Sequence, residues 1–202
     1  RLAQISLATG EALPWNPNAN ERVFSLAAAG NTILAGGRFN SVGGQVRRFI
    51  AALDASSGVA TPWNPEANGT VRALGFSHNT LYAAGNFTEI SHAVRSYVAA
   101  LDAGTGQASS WSPFPDDFVH TLFVAGDTIY LGGAFTSVNN ERRDRLAVVD
   151  SNTGQLTPWN PQANDTVSAL LVTGSTPHVG GDFTSVGGGP RNRIAALEAG
   201  SG

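Results

Sequence analysis

The sequence predicts an all-β fold, and three observations predict it. One stretch keeps returning: Leu13-Pro14-Trp15-Asn16-Pro17-Asn18-Ala19-Asn20, Thr61-Pro62-Trp63-Asn64-Pro65-Glu66-Ala67-Asn68, and Thr157-Pro158-Trp159-Asn160-Pro161-Gln162-Ala163-Asn164. Ser110-Trp111-Ser112-Pro113 is a worn copy, so the tryptophans Trp15, Trp63, Trp111 and Trp159 stand 48 residues apart without slippage. Each repeat also divides into four short, β-compatible pieces joined by turn residues. Finally, 24 glycines in 202 residues, 42% hydrophobic residues and only 13% charged ones suit a β protein with a core and many tight turns. Four short antiparallel strands in roughly 45 residues is the arithmetic of a β-propeller blade. The alternative is a parallel β-helix with two coils per repeat, which explains two-residue hairpin turns poorly.

Piece one is Val23-Phe24-Ser25-Leu26, Val71-Arg72-Ala73-Leu74, Val119-His120-Thr121-Leu122 and Val167-Ser168-Ala169-Leu170, with Val and Leu at fixed places. Gly30-Asn31, His78-Asn79, Gly126-Asp127 and Gly174-Ser175 follow, residues that tolerate the positive φ of a tight hairpin. Piece two runs Thr32 to Gly37, Thr80 to Gly85, Thr128 to Gly133 and Thr176 to Gly181. Its recurrent glycines predict close approach between neighbouring repeats, and Pro177 predicts a late or irregular strand in the fourth copy. Phe39, Phe87, Phe135 and Phe183 recur as one core plug per repeat.

A longer loop, such as Thr184 to Pro190, closes on Arg47, Arg95, Arg143 or Arg191. Each arginine is expected to pair with a loop carbonyl or an acid in its own blade. Piece three is near-continuously apolar, as in Ile50-Ala51-Ala52-Leu53, Val98-Ala99-Ala100-Leu101 and Leu146-Ala147-Val148-Val149, and predicts burial on both faces. Asp54, Asp102 and Asp150 open its exit turns, accepting from N–H groups two or three residues on. The prolines of piece four suit an outer edge. Piece one would line the channel and piece four the rim.

The chain reads as one repeat domain. Residues 1–20 are outer strands of a partial blade, 21–68, 69–116 and 117–164 are blades, and 165–202 is an incomplete last one. Piece three occurs five times, counting Leu2-Ala3-Gln4-Ile5-Ser6 and Ile194-Ala195-Ala196-Leu197-Glu198; the others occur four times. A ring closed through its termini would carry a duplicate strand. Flanking repeats, or further copies of the chain, are therefore expected to complete the ring.

A formal charge of −3 and no basic cluster larger than a pair such as Arg142-Arg143 argue against nucleic acid and a polybasic membrane patch. No apolar run approaches the ~18 residues of a membrane span. Without cysteine there is neither a disulfide frame nor a thiolate metal site. A chain that begins at Arg1 and lacks Met is expected to be processed, or a piece of a longer one.

The run Tyr130-Leu131-Gly132-Gly133-Ala134-Phe135-Thr136-Ser137-Val138, followed by Arg143 to Asp150, resembles the delta-60 type repeat. So does Ala169-Leu170 followed by Val179 to Gly188. The resemblance spans the chain. It implies propeller-like repeats of the kind found in large secreted or surface-attached bacterial proteins and, in related form, in fungal cortical polarity markers. It implies a secreted or cell-surface location and no general catalytic role. Ala100-Leu101-Asp102-Ala103-Gly104-Thr105-Gly106 with Trp111 is similar to the tryptophan-docking motif of quinoprotein dehydrogenase propellers, with Trp one residue later. That likeness implies blade locking.

The tryptophans could form a sugar-stacking ring, but repetition at one spacing is what docking against a neighbouring blade requires. Unrepeated residues are better functional candidates. Arg72 and His120 replace Phe24 and Ser168 at one position of the channel strand. His78, His92 and His178 fall at three different repeat positions and form no ligand set. Asp116-Asp117 could hold Ca²⁺, yet one acid pair is far short of a calcium loop, and no cofactor is expected. Asn68, Asn86 and Asn164 open Asn-X-Thr matches, of which repetition alone produces the second at the Asn68 position. No nucleophile elbow, phosphate loop or catalytic triad spacing is present.

The expectation is an extracellular scaffold or binding module that presents the Asn20, Asn68, Asp116 and Asn164 loops to a protein or carbohydrate. An enzyme with a funnel site, quinoprotein-like or polysaccharide-cleaving, would need convergent carboxylates or histidines beyond Arg72 and His120. A self-assembling structural protein is the third reading.

Overall fold

The computed structural model describes residues 2–200; Arg1, in the first expected unit, and Ser201 and Gly202, in the last, lie outside the described residues. The first repeat forms β1 (Val23–Ala29), β2 (Thr32–Gly37), β3 (Ser41–Val42), β4 (Gln45–Val46) and β5 (Ile50–Asp54). The second forms β6 (Val71–Ser77), β7 (Thr80–Gly85), β8 (Glu89–Ile90), β9 (Ala93–Val94) and β10 (Val98–Asp102). The third forms β11 (Val119–Ala125), β12 (Thr128–Gly133), β13 (Ser137–Val138), β14 (Glu141–Arg142) and β15 (Leu146–Asp150). The fourth forms β16 (Val167–Thr173), β17 (Thr176–Gly181), β18 (Ser185–Val186), β19 (Gly189–Pro190) and β20 (Ile194–Ala196).

Every repeat makes the same sheet: pieces one and three flank piece two, in the orders β1-β2-β5, β6-β7-β10, β11-β12-β15 and β16-β17-β20. All strand pairs are antiparallel, which sets the parallel β-helix aside. Inner strands pack in sequence, β1 on β6, β6 on β11 and β11 on β16. The core lies between successive sheets: Leu34 and Ile50 of the first share a buried cluster with Val71, Leu74 and Leu81 of the second. Phe39, Phe87, Phe135 and Phe183 are fully buried plugs. This is a β-propeller architecture.

In the first three repeats the fourth strand is light, one antiparallel bridge such as Leu53–Ala60. Backbone bonds from Asp54 N–H to Val59 O and from Thr61 N–H to Ala52 O, both 2.9 Å, flank it. Pro62 ends that ladder, because it has no N–H to donate. The segment expected as a long loop is itself a small hairpin, β3-β4 and its counterparts. Gly43-Gly44, Ser91-His92, Asn139-Asn140 and Gly187-Gly188 take positive φ at both turn residues, the type I′ signature.

Pro177 does not delay β17, which spans all six residues. Its effect falls on the outer neighbour. Leu197 N–H donates to Pro177 O at 2.8 Å, but proline cannot return the bond. The ladder therefore stops at His178–Ala196, and β20 has three residues where β5 has five.

The glycines of piece two divide by role. A Cβ on Gly36 would lie 2.7 Å from Val71 Cγ1 of the next repeat, as expected. One on Gly37 would lie 2.2 Å from Arg22 O, within its own repeat. The repeated arginines do bind carbonyls: Arg47 donates to Val46 O and Thr61 O, and Arg143 to Arg142 O and Thr157 O.

The exit turns hold Asp54, Asp102 and Asp150 as predicted. Asp102 Oδ1 accepts from Thr105 N–H at 2.7 Å and Gly104 N–H at 3.0 Å. The bonds from residue 57, 105 or 153 are the main reason each carboxyl titrates below its ordinary 3.8. A depressed folded value adds stability that is present above the unfolded value and is lost as pH falls through the folded one. Urea midpoints are thus expected to drop as pH falls below 3.8. The triple variant Asp54→Asn, Asp102→Asn and Asp150→Asn should be less stable at neutral pH and flatter over that acid limb.

Candidate functional site

One position of the inner strand departs from the repeat, and the fold gathers all four of its copies. Phe24, Arg72, His120 and Ser168 line one cavity of about 280 Å³. The backbone explains the convergence. In every inner strand the register to its partner slips across this residue, between Val23 and Ser25, Val71 and Ala73, Val119 and Thr121, and Val167 and Ala169. Such a bulge leaves one residue out of the ladder and re-aims its side chain.

Arg72 is half-buried, and its Nε donates to Asn86 Oδ1 at 2.6 Å. Its guanidinium carbon stands 5.6 Å from the centre of the Phe24 ring, within cation–π range. Among the described residues no carboxylate forms an ion pair with it. His120 is pushed below its ordinary value of 6.5, first by burial and then by the Arg72 charge, with Asp117 opposing. The cavity thus combines an uncompensated cation, a neutral imidazole, an aromatic ring and a hydroxyl. From sequence Asn86 stood out only as an Asn-X-Thr match and not as a partner of Arg72, although the same signal marks it: Arg38, Ala134 and Asp182 hold its place in the other repeats.

The four loop residues, each the last of its unit, turn their polar atoms onto the unit that follows. Asn20 Oδ1 accepts from the N–H groups of Asn40 and Ser41, both at 3.1 Å. Asn68 and Asn164 do the same for Thr88 and Glu89 and for Thr184 and Ser185. Asp116 Oδ1 accepts from Thr136 N–H at 2.8 Å and Ser137 N–H at 3.0 Å. Burial pushes the Asp116 carboxyl up, but the bonds from Thr136 and Ser137 outweigh it and leave it lowered. Each residue clamps the start of a small hairpin, and all four are exposed.

Beside the last clamp lies a groove of about 950 Å³ between the Asn160–Asn164 loop, the β18-β19 hairpin and Arg142, Asp144 and Arg145 of the preceding blade. Arg142 pairs with Asp144 at 2.7 Å. Arg145 Nε and Asn160 Oδ1 are buried there without partners. The histidines outside the cavity stay apart: His78 and His92 lie in two different turns, and His178 is on β17. Among the described residues no group of three or more His, Asp and Glu side chains is placed to hold a metal.

The tryptophans dock as packing predicts. Trp15, Trp63, Trp111 and Trp159 donate Nε1–H to the carbonyls of Asp54, Asp102, Asp150 and Glu198, each 39 residues on. Trp63, Trp111 and Trp159 are buried.

No protein-family model matches the chain, and no curated protein matches it in sequence. Solved structures do match in shape. The WD40 repeats of RRP9 superpose with a TM-score of 0.67 at 14% identity, over 98% of this chain and 54% of that one. The computationally designed Ika4 protein gives 0.61 at 17% identity over 92% of this chain and 96% of its own. The designed Ika8 protein gives 0.59 at 19% over 95% of this chain and 50% of its own. The chain spans about half the length of the RRP9 and Ika8 chains. At such identities the likeness is one of fold, and it agrees with the antiparallel sheets and their packing: the chain is a propeller-repeat protein.

Proposed function

We propose that the chain is an extracellular binding module of the delta-60 repeat kind, which takes a carboxylate-bearing part of its partner in the cavity of Phe24, Arg72, His120 and Ser168. The resemblance of the repeat supports the extracellular location. The observation that carries the binding reading is Arg72, a half-buried guanidinium with no carboxylate partner among the described residues, braced by Asn86 beside a neutral imidazole. A bound carboxylate would neutralise it and favour proton uptake by His120. The surrounding loops and the groove at Asn160 would add contacts of shape and polarity.

A uronate sugar and an acidic peptide share this chemistry, and two arms of one assay separate them. Immobilised chain is exposed to uronate-bearing and neutral oligosaccharides, and to acidic and neutral peptides. One acidic class should bind, and Arg72→Ala should weaken it about tenfold or more, the loss expected for one charged hydrogen bond. Binding should tighten as pH falls below 6.5, because a bound anion raises the lowered His120 value, and His120→Gln should abolish that slope. Equal binding of acidic and neutral ligands, or an unchanged Arg72→Ala variant, would refute the reading.

A further inference from the structure

Each seam between sheets repeats one contact, a valine of the following inner strand seated on a small residue of piece two. Val71 seats on Gly36 and Val167 on Gly132, where a Cβ would come within 2.7 and 2.8 Å of the valine Cγ1. Val119 and Ala84 share a buried cluster at the middle seam. Two members of the series remain without their counterparts. Gly180 has only its own sheet nearby, Ala169 Cβ at 3.6 Å and Arg193 O at 3.7 Å from a built Cβ. Val23 is only half-buried, whereas Val71, Val119 and Val167 are fully buried.

The residues around these two repeat the pattern. Leu26, beside Val23, is 52% exposed, against 9% for Leu74 and 8% for Leu122. Ile194, beside Gly180, is 74% exposed, where Ile50 and Leu146 are fully buried. The first sheet thus bares the knobs, and the last sheet bares the hole, of an interface this chain already makes within itself. β1 and β16 of one chain do not pack on each other as neighbours do.

We propose that a second copy of the chain covers this face: β1 of each copy packs on the β16-β17-β20 sheet of the other, Val23 against Gly180, closing eight sheets into one ring. The match to half of the Ika8 chain supports a ring of about twice four sheets. A head-to-tail contact of this kind yields a ring when its rotation closes and a filament when it does not. The junction holds one outer strand too many, because residues 2–6 and β20 occupy the same place in the repeat. β20 is tied by its ladder to β17. Residues 2–6 reach a ladder partner only at the Ile5–Ala12 bridge, so they give way and Ala12 pairs with β20.

Light scattering should report twice 20.9 kDa. A Cβ on Gly180 makes only ordinary contacts within its own sheet, so Gly180→Leu should leave circular dichroism unchanged while the mass falls to 20.9 kDa. The chain has no cysteine, which permits a cross-link test with Val23→Cys and Gly180→Cys together. At the equivalent seam, a Cβ on Gly36 lies 3.3 Å from Val71 Cβ, near the ~3.8 Å of a disulfide. Oxidation should give a covalent dimer with two disulfides. A wild-type mass of 20.9 kDa throughout a concentration series, an internal disulfide within one chain, or a ladder of larger species would each overturn the two-copy ring.

Discussion

Replacing Trp111 by Ala is expected to destabilise the fold by about 3–5 kcal/mol, the usual cost of removing a buried tryptophan. Trp111 stands at the seam between the second and third sheets. Its ring meets Tyr82 edge-on, centroids 5.3 Å apart at 70°, a geometry that adds to plain burial. Its Nε1–H reaches Asp150 O at 3.0 Å across the seam. It also anchors a strand that is otherwise held by the single bridge between Leu101 and Ala108 and by Arg95, which donates to Ser109 O. Trp111→Phe separates these contributions. Asp150 O still accepts from Gly154 N–H at 2.9 Å, so no buried carbonyl is orphaned and the lost bond should cost only about 1 kcal/mol. Trp15→Ala should cost less than Trp111→Ala, because Trp15 is only half-buried. Urea unfolding of the three variants checks the order. Equal losses at Trp15 and Trp111, or less than about 1 kcal/mol at Trp111, would deny that the seams carry the stability.

What could be read in advance was whatever depends on short-range pattern. Val and Leu at fixed places mark the inner strands, and the phenylalanine plugs and Asp turns follow from apolar spacing and local hydrogen bonding. Gly43-Gly44 and Asn139-Asn140 carried a readable hairpin signal that the loop expectation passed over. The bulge at Phe24, Arg72, His120 and Ser168 was not readable, because it arises from a carbonyl pressed against a glycine of the partner strand. Without the bulge, a broken repeat pattern marks Arg72 and His120 as unusual but gives no reason for them to meet. Asn86 shows the same limit: its bond to Arg72 depends on which residues the bulge brings together. The effect of Pro177 moved to β20 because a missing N–H is felt by the strand that would have accepted it.

That pressed carbonyl gives the second large effect. Gly85→Ala is expected to cost about 3 kcal/mol or more, as severe overpacking against backbone does. A Cβ there would lie 2.0 Å from Thr70 O and 3.1 Å from Val71 Cα, and neither is a side chain able to swing aside. The carbonyl is also held in place, since Asn86 N–H donates to Thr70 O at 2.8 Å. A Cβ on Gly37, Gly133 or Gly181 would lie 2.1–2.2 Å from Arg22 O, Phe118 O or Thr166 O, so the approach is a property of every blade. The preceding position behaves differently. It is Gly36, Gly132 and Gly180 in three sheets but Ala84 in the other, where the alanine is fully buried. A Cβ on Gly132 meets the side-chain atoms Thr121 Cγ2 and Val167 Cγ1 at 2.8 Å, and no backbone atom as close. Gly132→Ala should therefore cost less than Gly85→Ala, about 1–2 kcal/mol. Because Gly85 adjoins the register slip that frees Arg72, Gly85→Ala should also loosen the Arg72–Asn86 bond and weaken acidic-ligand binding, whereas Gly132→Ala leaves binding intact. Urea midpoints and the same ligand assay decide it: comparable losses at both glycines would mean that the carbonyl contact neither shapes the blade nor aims the cavity.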